Sequence, residues 1–232
     1  QTTNYPWDGE ININVDSLHG VSKLNLLIRI PGWARNTPVD GSLYYYSDDN
    51  AGNVTLFVNG KQTSISIKNG YAVLSRTWKK NDKVTLHLPM NVRRVKASDK
   101  VTSLNGLVAL ECGPVVYCLE GYDNDGVVDN CVVKDGAMIN REWTSDFNGT
   151  YKLSIDGVRT SYDTHGSITE TDDKLTAIPY FAWNNRGANE RMSVWLPYEA
   201  SASSPTCDDI PTDTLDYETS ILIQTDENGS ST

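Results

Sequence analysis

The sequence predicts an all-β chain: two β-sandwiches of jelly-roll type, with the second inserted into the first. Three observations predict it. Apolar and polar residues alternate with a period of two through most of the chain, as half-buried strands require. Turn dipeptides separate the alternating runs, at Asp8-Gly9, Pro31-Gly32, Asn59-Gly60, Asn69-Gly70, Asn105-Gly106, Asp125-Gly126, Asp135-Gly136 and Asp156-Gly157. Asn-Gly and Asp-Gly tolerate the positive φ values that tight hairpins need. Finally, no window of about 12 residues carries apolar positions at i, i+3, i+4 and i+7 behind a capping residue.

The strands follow in order. Ile11-Asn12-Ile13-Asn14-Val15 places three β-branched residues on one face, and Leu24 to Ile30 repeats the pattern with one slip. Further runs are Val54 to Val58, Ser64 to Ile67, Tyr71 to Leu74, Val84 to Leu88, Leu107 to Leu110, Val115 to Leu119, Tyr151 to Ile155 and Met192 to Leu196. Tyr122 to Asp173 is more polar, with weaker strands, and is expected to be the looser sandwich. Many short strands between regular turns indicate sandwich architecture. The expected boundaries are 1–106 for the first sandwich, completed by a return strand at 190–198, and 107–189 for the second. Residues 199–232 open on Ser201-Ala202-Ser203-Ser204-Pro205 and form an acidic, Ser- and Thr-rich linker or tail, with Ser220 to Gln224 as one added strand.

At 232 residues the chain is long enough for either one large β domain or two small ones. A formal charge of -10 argues against nucleic acid, since phosphate binding needs clustered Lys and Arg. The one basic cluster, Arg93-Arg94 with Lys96, reads as the solvated face of a strand. No apolar run approaches the roughly 18 residues of a membrane span, and no basic segment leads into an apolar one at the N-terminus. The chain starts at Gln1 without an initiator Met, as an excised or processed piece would.

Chemistry-bearing residues are sparse. Cys112, Cys118, Cys131 and Cys207 show no Cys-x-x-Cys spacing and read as buried free thiols. On one continuous strand, Cys112 and Cys118 would stand about 20 Å apart, beyond disulfide reach unless Gly113-Pro114 bends the strand sharply. His19, His87 and His165 are dispersed, and His87, between two leucines, should face solvent or a hydrogen-bond partner. Asp123-Asn124-Asp125-Gly126 with Asp129 resembles half a calcium loop without the distal glutamate, and reads as a hairpin turn. The matches to the glycosylation acceptor pattern at Asn53, Asn148 and Asn228 read as chance. Candidate carboxylate pairs for hydrolysis are Asp8 with Glu10 and Glu111 with Glu120. Asp8 is expected to shape a turn, and Glu111 and Glu120 to sit solvated at strand ends.

Taken in order, the motifs are more specific. Tyr5-Pro6-Trp7-Asp8-Gly9, Ile30-Pro31-Gly32-Trp33-Ala34, Val58-Asn59-Gly60, the run from Gly70 to Asp82, Leu86-His87-Leu88-Pro89-Met90, Gly113 to Glu120, Ile178 to Gly187 and Val194-Trp195-Leu196-Pro197 together resemble the C-terminal half of glycoside hydrolase family 127. This is the β-L-arabinofuranosidase-like family, and the resemblance spans about residues 3 to 198. It implies two sandwiches bracing an N-terminal (α/α)6 catalytic barrel, and a strand near residue 190 returning to the first sandwich. It also implies a retaining mechanism in that barrel, with a cysteine nucleophile, a glutamate and a zinc ion held by cysteines. No position here matches those residues, so no catalytic residue, cofactor or metal ligand is expected in this chain, and zinc is expected in the absent barrel.

The resemblance further implies a bacterial, periplasmic or secreted parent acting on plant-type glycans. The expected partner is the protein's own barrel, with Tyr5, Trp7, Trp33, Tyr180 and Trp183 as contacts to barrel or glycan, and with homodimerisation as a further expectation. A second reading is a carbohydrate-binding module, for which Tyr44-Tyr45-Tyr46, Trp143 and Tyr151 offer aromatic faces. A third, weaker reading is an autonomous glycosidase.

Overall fold

The structure is a computed structural model that describes residues 1–20, 22–187 and 191–207. The expected all-β class holds. Among the described residues the only helical pieces are 3-10 turns of three residues each.

The first half of the chain holds β1 (Thr2–Thr3), β2 (Glu10–Asn14), β3 (Lys23–Arg29), β4 (Tyr44–Tyr46), β5 (Thr55–Val58), β6 (Lys61–Thr63), β7 (Ile67–Lys68), β8 (Tyr71–Thr77) and β9 (Lys83–His87). A five-stranded sheet, β1-β2-β9-β5-β6, faces a three-stranded one, β3-β8-β7. The period-two pattern explains the packing: Leu56, Val58, Val84 and Leu86 from one sheet meet Ile28, Ala72 and Leu74 from the other. Trp78 closes this core, its indole N–H donating to the Leu24 carbonyl at 3.1 Å. The Asn-Gly signals act as expected. Asn59 and Gly60 between β5 and β6 have φ of 52° and 76°, and Asn69 and Gly70 between β7 and β8 have 51° and 80°, so consecutive left-handed residues reverse each hairpin.

The second unit holds β10 (Val92–Ala97), β11 (Leu107–Cys112), β12 (Val115–Glu120), β13 (Cys131–Val132), β14 (Ile139–Thr144), β15 (Thr150–Tyr162), β16 (Ile168–Pro179), β17 (Met192–Ser193) and β18 (Leu196–Pro197). Its sheet runs β13-β15-β16-β12-β11-β10-β4, with β18 also on β11. The Val133 N–H donates to the Pro197 carbonyl at 2.8 Å. That bond links the β13 end of the path to β18 and through it to β11, so this part of the sheet rolls closed around its core and leaves fewer open edges. Inside lie Val108, Leu110, Tyr117, Leu119, Leu153, Ile155, Leu175 and Leu196.

Strand pairing corrects several expectations. The return strand expected at 190–198 does not join the first sandwich where the structure describes it, from 191 on: Met192 and Ser193 pair with Glu120 and Leu119, and Leu196 and Pro197 with Val108 and Leu107. β11 and β12 pair with each other only over Leu110–Cys112 and Val115–Tyr117. Beyond that they splay, and the segment turns at Val194-Trp195 to supply backbone partners to both, since buried N–H and C=O groups must be paired. The boundary at 106 moves as well. β10 belongs to the second sheet, and β4, from the first half of the chain, forms its edge beside β10, so the second unit is not an insertion. The Tyr122 to Asp173 region is not loose. It contributes β15 and β16, of 13 and 12 residues, in continuous register from Leu153 with Ala177 to Tyr162 with Ile168. The tail beyond 207, including Ser220 to Gln224, lies outside the described residues.

Candidate functional site

The segment after β16 is held from beneath by a buried charge. Glu120, the last residue of β12, is fully buried on the outer face of the rolled sheet. Its carboxylate accepts the Asn184 N–H at 2.9 Å and an Arg186 Nη2–H at 2.5 Å. Asn184, at φ 63°, turns its N–H inward. Arg186 also pairs with Asp123 and lies over the rings of Tyr122 at 4.3 Å and Phe147 at 5.0 Å. Burial alone would lower the Arg186 pKa, but the hydrogen bonds it donates to Asp123 and Glu120 outweigh it and hold the guanidinium above its ordinary value. Asn124 ties the neighbouring turn down: its amide donates to the Glu120 and Thr176 carbonyls at 2.7 and 2.9 Å.

This latch displays aromatic side chains outward. Tyr180 stacks on Trp183 with ring centroids 6.3 Å apart and 11° between planes, and both remain exposed, as does Phe181 at 60%. Trp7 reaches across from the first unit, 6.2 Å from Phe181 and 6.5 Å from Tyr151. Trp143 meets Tyr151 edge-on at 5.1 Å. Arg141 staples the two units, donating to the carbonyls of Trp7 at 2.9 Å and Met90 at 3.2 Å while its guanidinium covers Tyr151 at 4.2 Å. On the first unit, Tyr5 lies beside Trp33, and burial raises the Tyr5 phenol pKa against the opposing influence of Trp33. Trp33 packs against the first core.

Of the five residues singled out from sequence, the fold thus pairs Tyr5 with Trp33 and Tyr180 with Trp183, and sets Trp7 against the neighbour of Tyr180. Phe181 was not singled out, although it lies in the same motif. Its exposure follows from the latch at Glu120, which the local sequence does not reveal. The glycan platform considered at Tyr44-Tyr45-Tyr46 is the strand β4. Tyr44 stacks on Trp195 at 5.9 Å and Arg93 covers Tyr46 at 3.8 Å, which leaves Tyr45 as the exposed ring. Tyr151 has neighbours on both sides in the cluster just described.

The candidate carboxylates are taken up by structural contacts. Asp8 shapes its turn by accepting the Glu10 N–H at 2.9 Å. Glu111 and Glu120 are not solvated: Tyr46 donates its hydroxyl to Glu111, and Glu120 is buried against Arg186. Glu111 sits opposite Val116, and Glu120 lies four residues further along β12, roughly 13 Å away. The pairs of a retaining or inverting glycosidase are about 5 to 9.5 Å apart. His87 lies beside Glu10 at 3.8 Å and edge-on to Phe57 at 5.7 Å. In the Asp123 to Asp129 turn, Asp123 faces Arg186, Asp125 faces Arg159 and Asp129 faces Arg191, so the carboxylates diverge instead of converging on a cation.

All four cysteines are free thiols. Cys112 and Cys131 point into the rolled core, whereas Cys118 packs on its outer side with Ile178 and Ala182. Burial pushes Cys112 up, Cys118 up to about 12 and Cys131 up to about 11. Cys207 is exposed, which corrects the expectation that it is buried. Thiols on opposite faces of a sheet and held protonated do not fit a zinc site.

Residues 1–90 match the model of the β-L-arabinofuranosidase GH127 middle domain, and residues 92–197 match that of the glycoside hydrolase family 127 C-terminal domain. The chain is 30% identical over 205 residues to a non-reducing end β-L-arabinofuranosidase of Bifidobacterium longum, covering 82% of this chain and 29% of the relative. A solved GH127 β-arabinofuranosidase superposes with a TM-score of 0.82 at 36% identity, covering 89% of this chain and 32% of that one. The GH127 β-L-arabinofuranosidase of Geobacillus stearothermophilus T6 gives 0.72 at 32% identity, covering 85% and 30%. This chain therefore spans about a third of the length of these relatives.

Proposed function

Because the chain belongs to glycoside hydrolase family 127, as its middle and C-terminal domains, we propose that it braces the catalytic domain of a β-L-arabinofuranosidase-type glycosidase. The observation that carries this reading is the exposed aromatic face formed by Tyr180, Phe181 and Trp183, held in place by a buried Glu120–Arg186 pair and continued by Trp7 and Tyr5 on the other unit. An apolar patch of a few hundred Å² is about the largest that a typical monomer exposes, and such patches are often functional. Covering the exposed parts of these rings removes roughly 300 Å² of apolar surface, a gross gain of about 7 kcal/mol before the costs of ordering. The partner is the protein's own catalytic domain, which supplies the nucleophile and the zinc chemistry. The residues here orient and shield that domain and take no part in bond cleavage.

The test uses the parent protein with its catalytic domain. Replacing Tyr180 and Trp183 together by Ala should loosen the catalytic domain, seen as faster proteolysis between domains and earlier heat inactivation. The 232-residue chain alone should not hydrolyse an aryl β-L-arabinofuranoside above buffer. Unchanged proteolysis and inactivation in the double variant would overturn the docking role, and turnover by the chain alone would overturn its non-catalytic assignment.

A further inference from the structure

Two long strand edges lack a backbone partner among the described residues: β3, on the side away from β8, and β16 from Ile168 to Leu175, on the side away from β15. We propose that the β3 edge is the docking site of this chain's own acidic segment, Glu218 to Asp226, which adds beside it as a further strand. Neither stretch belongs to the aromatic face, so the inference stands apart from the bracing role.

An open edge presents free N–H and C=O groups, and an extended peptide adds there through main-chain hydrogen bonds. β3 is the seven-residue margin of the three-stranded sheet. Proline and bulges are common devices that spoil such an edge. β3 has no proline, and its register with β8 runs unbroken from Lys23 with Thr77 to Arg29 with Tyr71. Its charges stand at the two ends, and between them Leu24 and Leu27 are exposed, Leu27 at 55%.

Charge selects the occupant. Arg29 lies over the Tyr71 ring at 5.3 Å and donates to the Asn69 carbonyl, and neither it nor Lys23 meets a carboxylate among the described residues. Between Asp208 and Thr232 the sequence has seven Asp or Glu residues and no Lys, Arg or His. Its apolar run, Ile221-Leu222-Ile223, lies between Glu218 and Asp226. At about 3.3 Å per residue, the two cations stand about 20 Å apart and these two acids about 26 Å apart. Long Lys and Arg side chains span that difference. The other open edge carries Glu170, Asp172 and Asp173, and like charges across a strand pair repel. The tether from Cys207 to Glu218 extends about 35 Å and holds the segment at an effective concentration on the order of 1 mM.

The experiment is residue-resolved hydrogen exchange on the 232-residue chain and on the same chain ended at Cys207, which keeps every described element. In the longer chain, the β3 amides that face away from β8 should exchange about tenfold more slowly, as an intrinsic Kd of about 0.1 mM gives at that effective concentration. The Ile168 to Leu175 amides should not differ. Leu222→Pro should abolish the protection, since proline cannot donate to a ladder. Lys23→Glu with Arg29→Glu should abolish it too, and adding Glu218→Lys with Asp226→Lys should restore it. Equal exchange at β3 in the two chains, or protection of β16 instead, would overturn the docking site. Protection that survives the reversal of Lys23 and Arg29 would overturn the charge argument. Protection that grows with protein concentration, alongside a dimer in sedimentation, would place the segment of a second copy on β3 and overturn the assignment to the chain's own.

Discussion

Replacing Glu120 by Ala is the sharpest probe of how the fold carries its functional face. The carboxylate is fully buried and accepts two hydrogen bonds, one from a backbone N–H and one from a guanidinium. Bonds to a charged group are worth roughly 1.5 to 3 kcal/mol each. Removing one partner of a buried ion pair costs about 3 to 5 kcal/mol, because the other charge stays in a poorly solvated site. Arg186 retains Asp123, which softens the loss, so about 4 kcal/mol is expected. With a urea dependence near 2 kcal/mol per molar, the midpoint should fall by about 2 M.

The assay is urea unfolding followed by tryptophan fluorescence, paired with hydrogen exchange at Asn184, whose amide should lose its protection first. Glu120→Leu with Arg186→Met, which removes both charges together, should recover most of the loss. Glu10→Ala, at an exposed pair with His87, should move the midpoint little. A Glu120→Ala midpoint matching that of Glu10→Ala would refute the argument that this pair latches the 180–187 segment.

Three further outcomes follow from particular residues. Burial holds the Glu111 carboxyl above its ordinary value, against the pull of Tyr46 and Arg93, so its stabilisation is full below the unfolded-state pKa and is lost as pH rises through the folded one. Asp82 is held low by the Asn59 amide and the Lys79 N–H, so its stabilisation is present above the unfolded value and is lost as pH falls through the folded one. Urea midpoints from acid to neutral pH should lose the first slope in Glu111→Gln and the second in Asp82→Asn. Gly157→Ala should cost about 1 to 3 kcal/mol by overpacking, because an added Cβ would lie 2.4 Å from Leu175 Cδ1 and 3.0 Å from the Val132 carbonyl oxygen; thermal melts measure it. With Ellman's reagent, Cys207 alone should react in the folded chain, and Cys112, Cys118 and Cys131 only after unfolding.

What could be read locally was readable from sequence. The alternation of Leu56 with Val58 and of Val84 with Leu86 marked their inward faces, because side chains in a strand take opposite sides in turn. Asn59-Gly60 and Asn69-Gly70 announced their hairpins, because those residues accept positive φ. The order of the aromatic turns pointed to family 127. Alternation, however, states that a residue is buried without stating in which core. Met192 to Leu196 showed the pattern yet pairs with β11 and β12, and Tyr44 to Tyr46 crosses from the first half of the chain to the edge of the second sheet. Non-local backbone pairing settles such assignments, and no window of sequence contains both partners. The same limit hid the site. A glutamate at a strand end is usually solvated, and Glu120 is buried because Arg186, 66 residues further on, folds back to meet it. That meeting presents Phe181 to solvent beside Trp7, so the aromatic residues came from the sequence and their assembly into one face came from the fold.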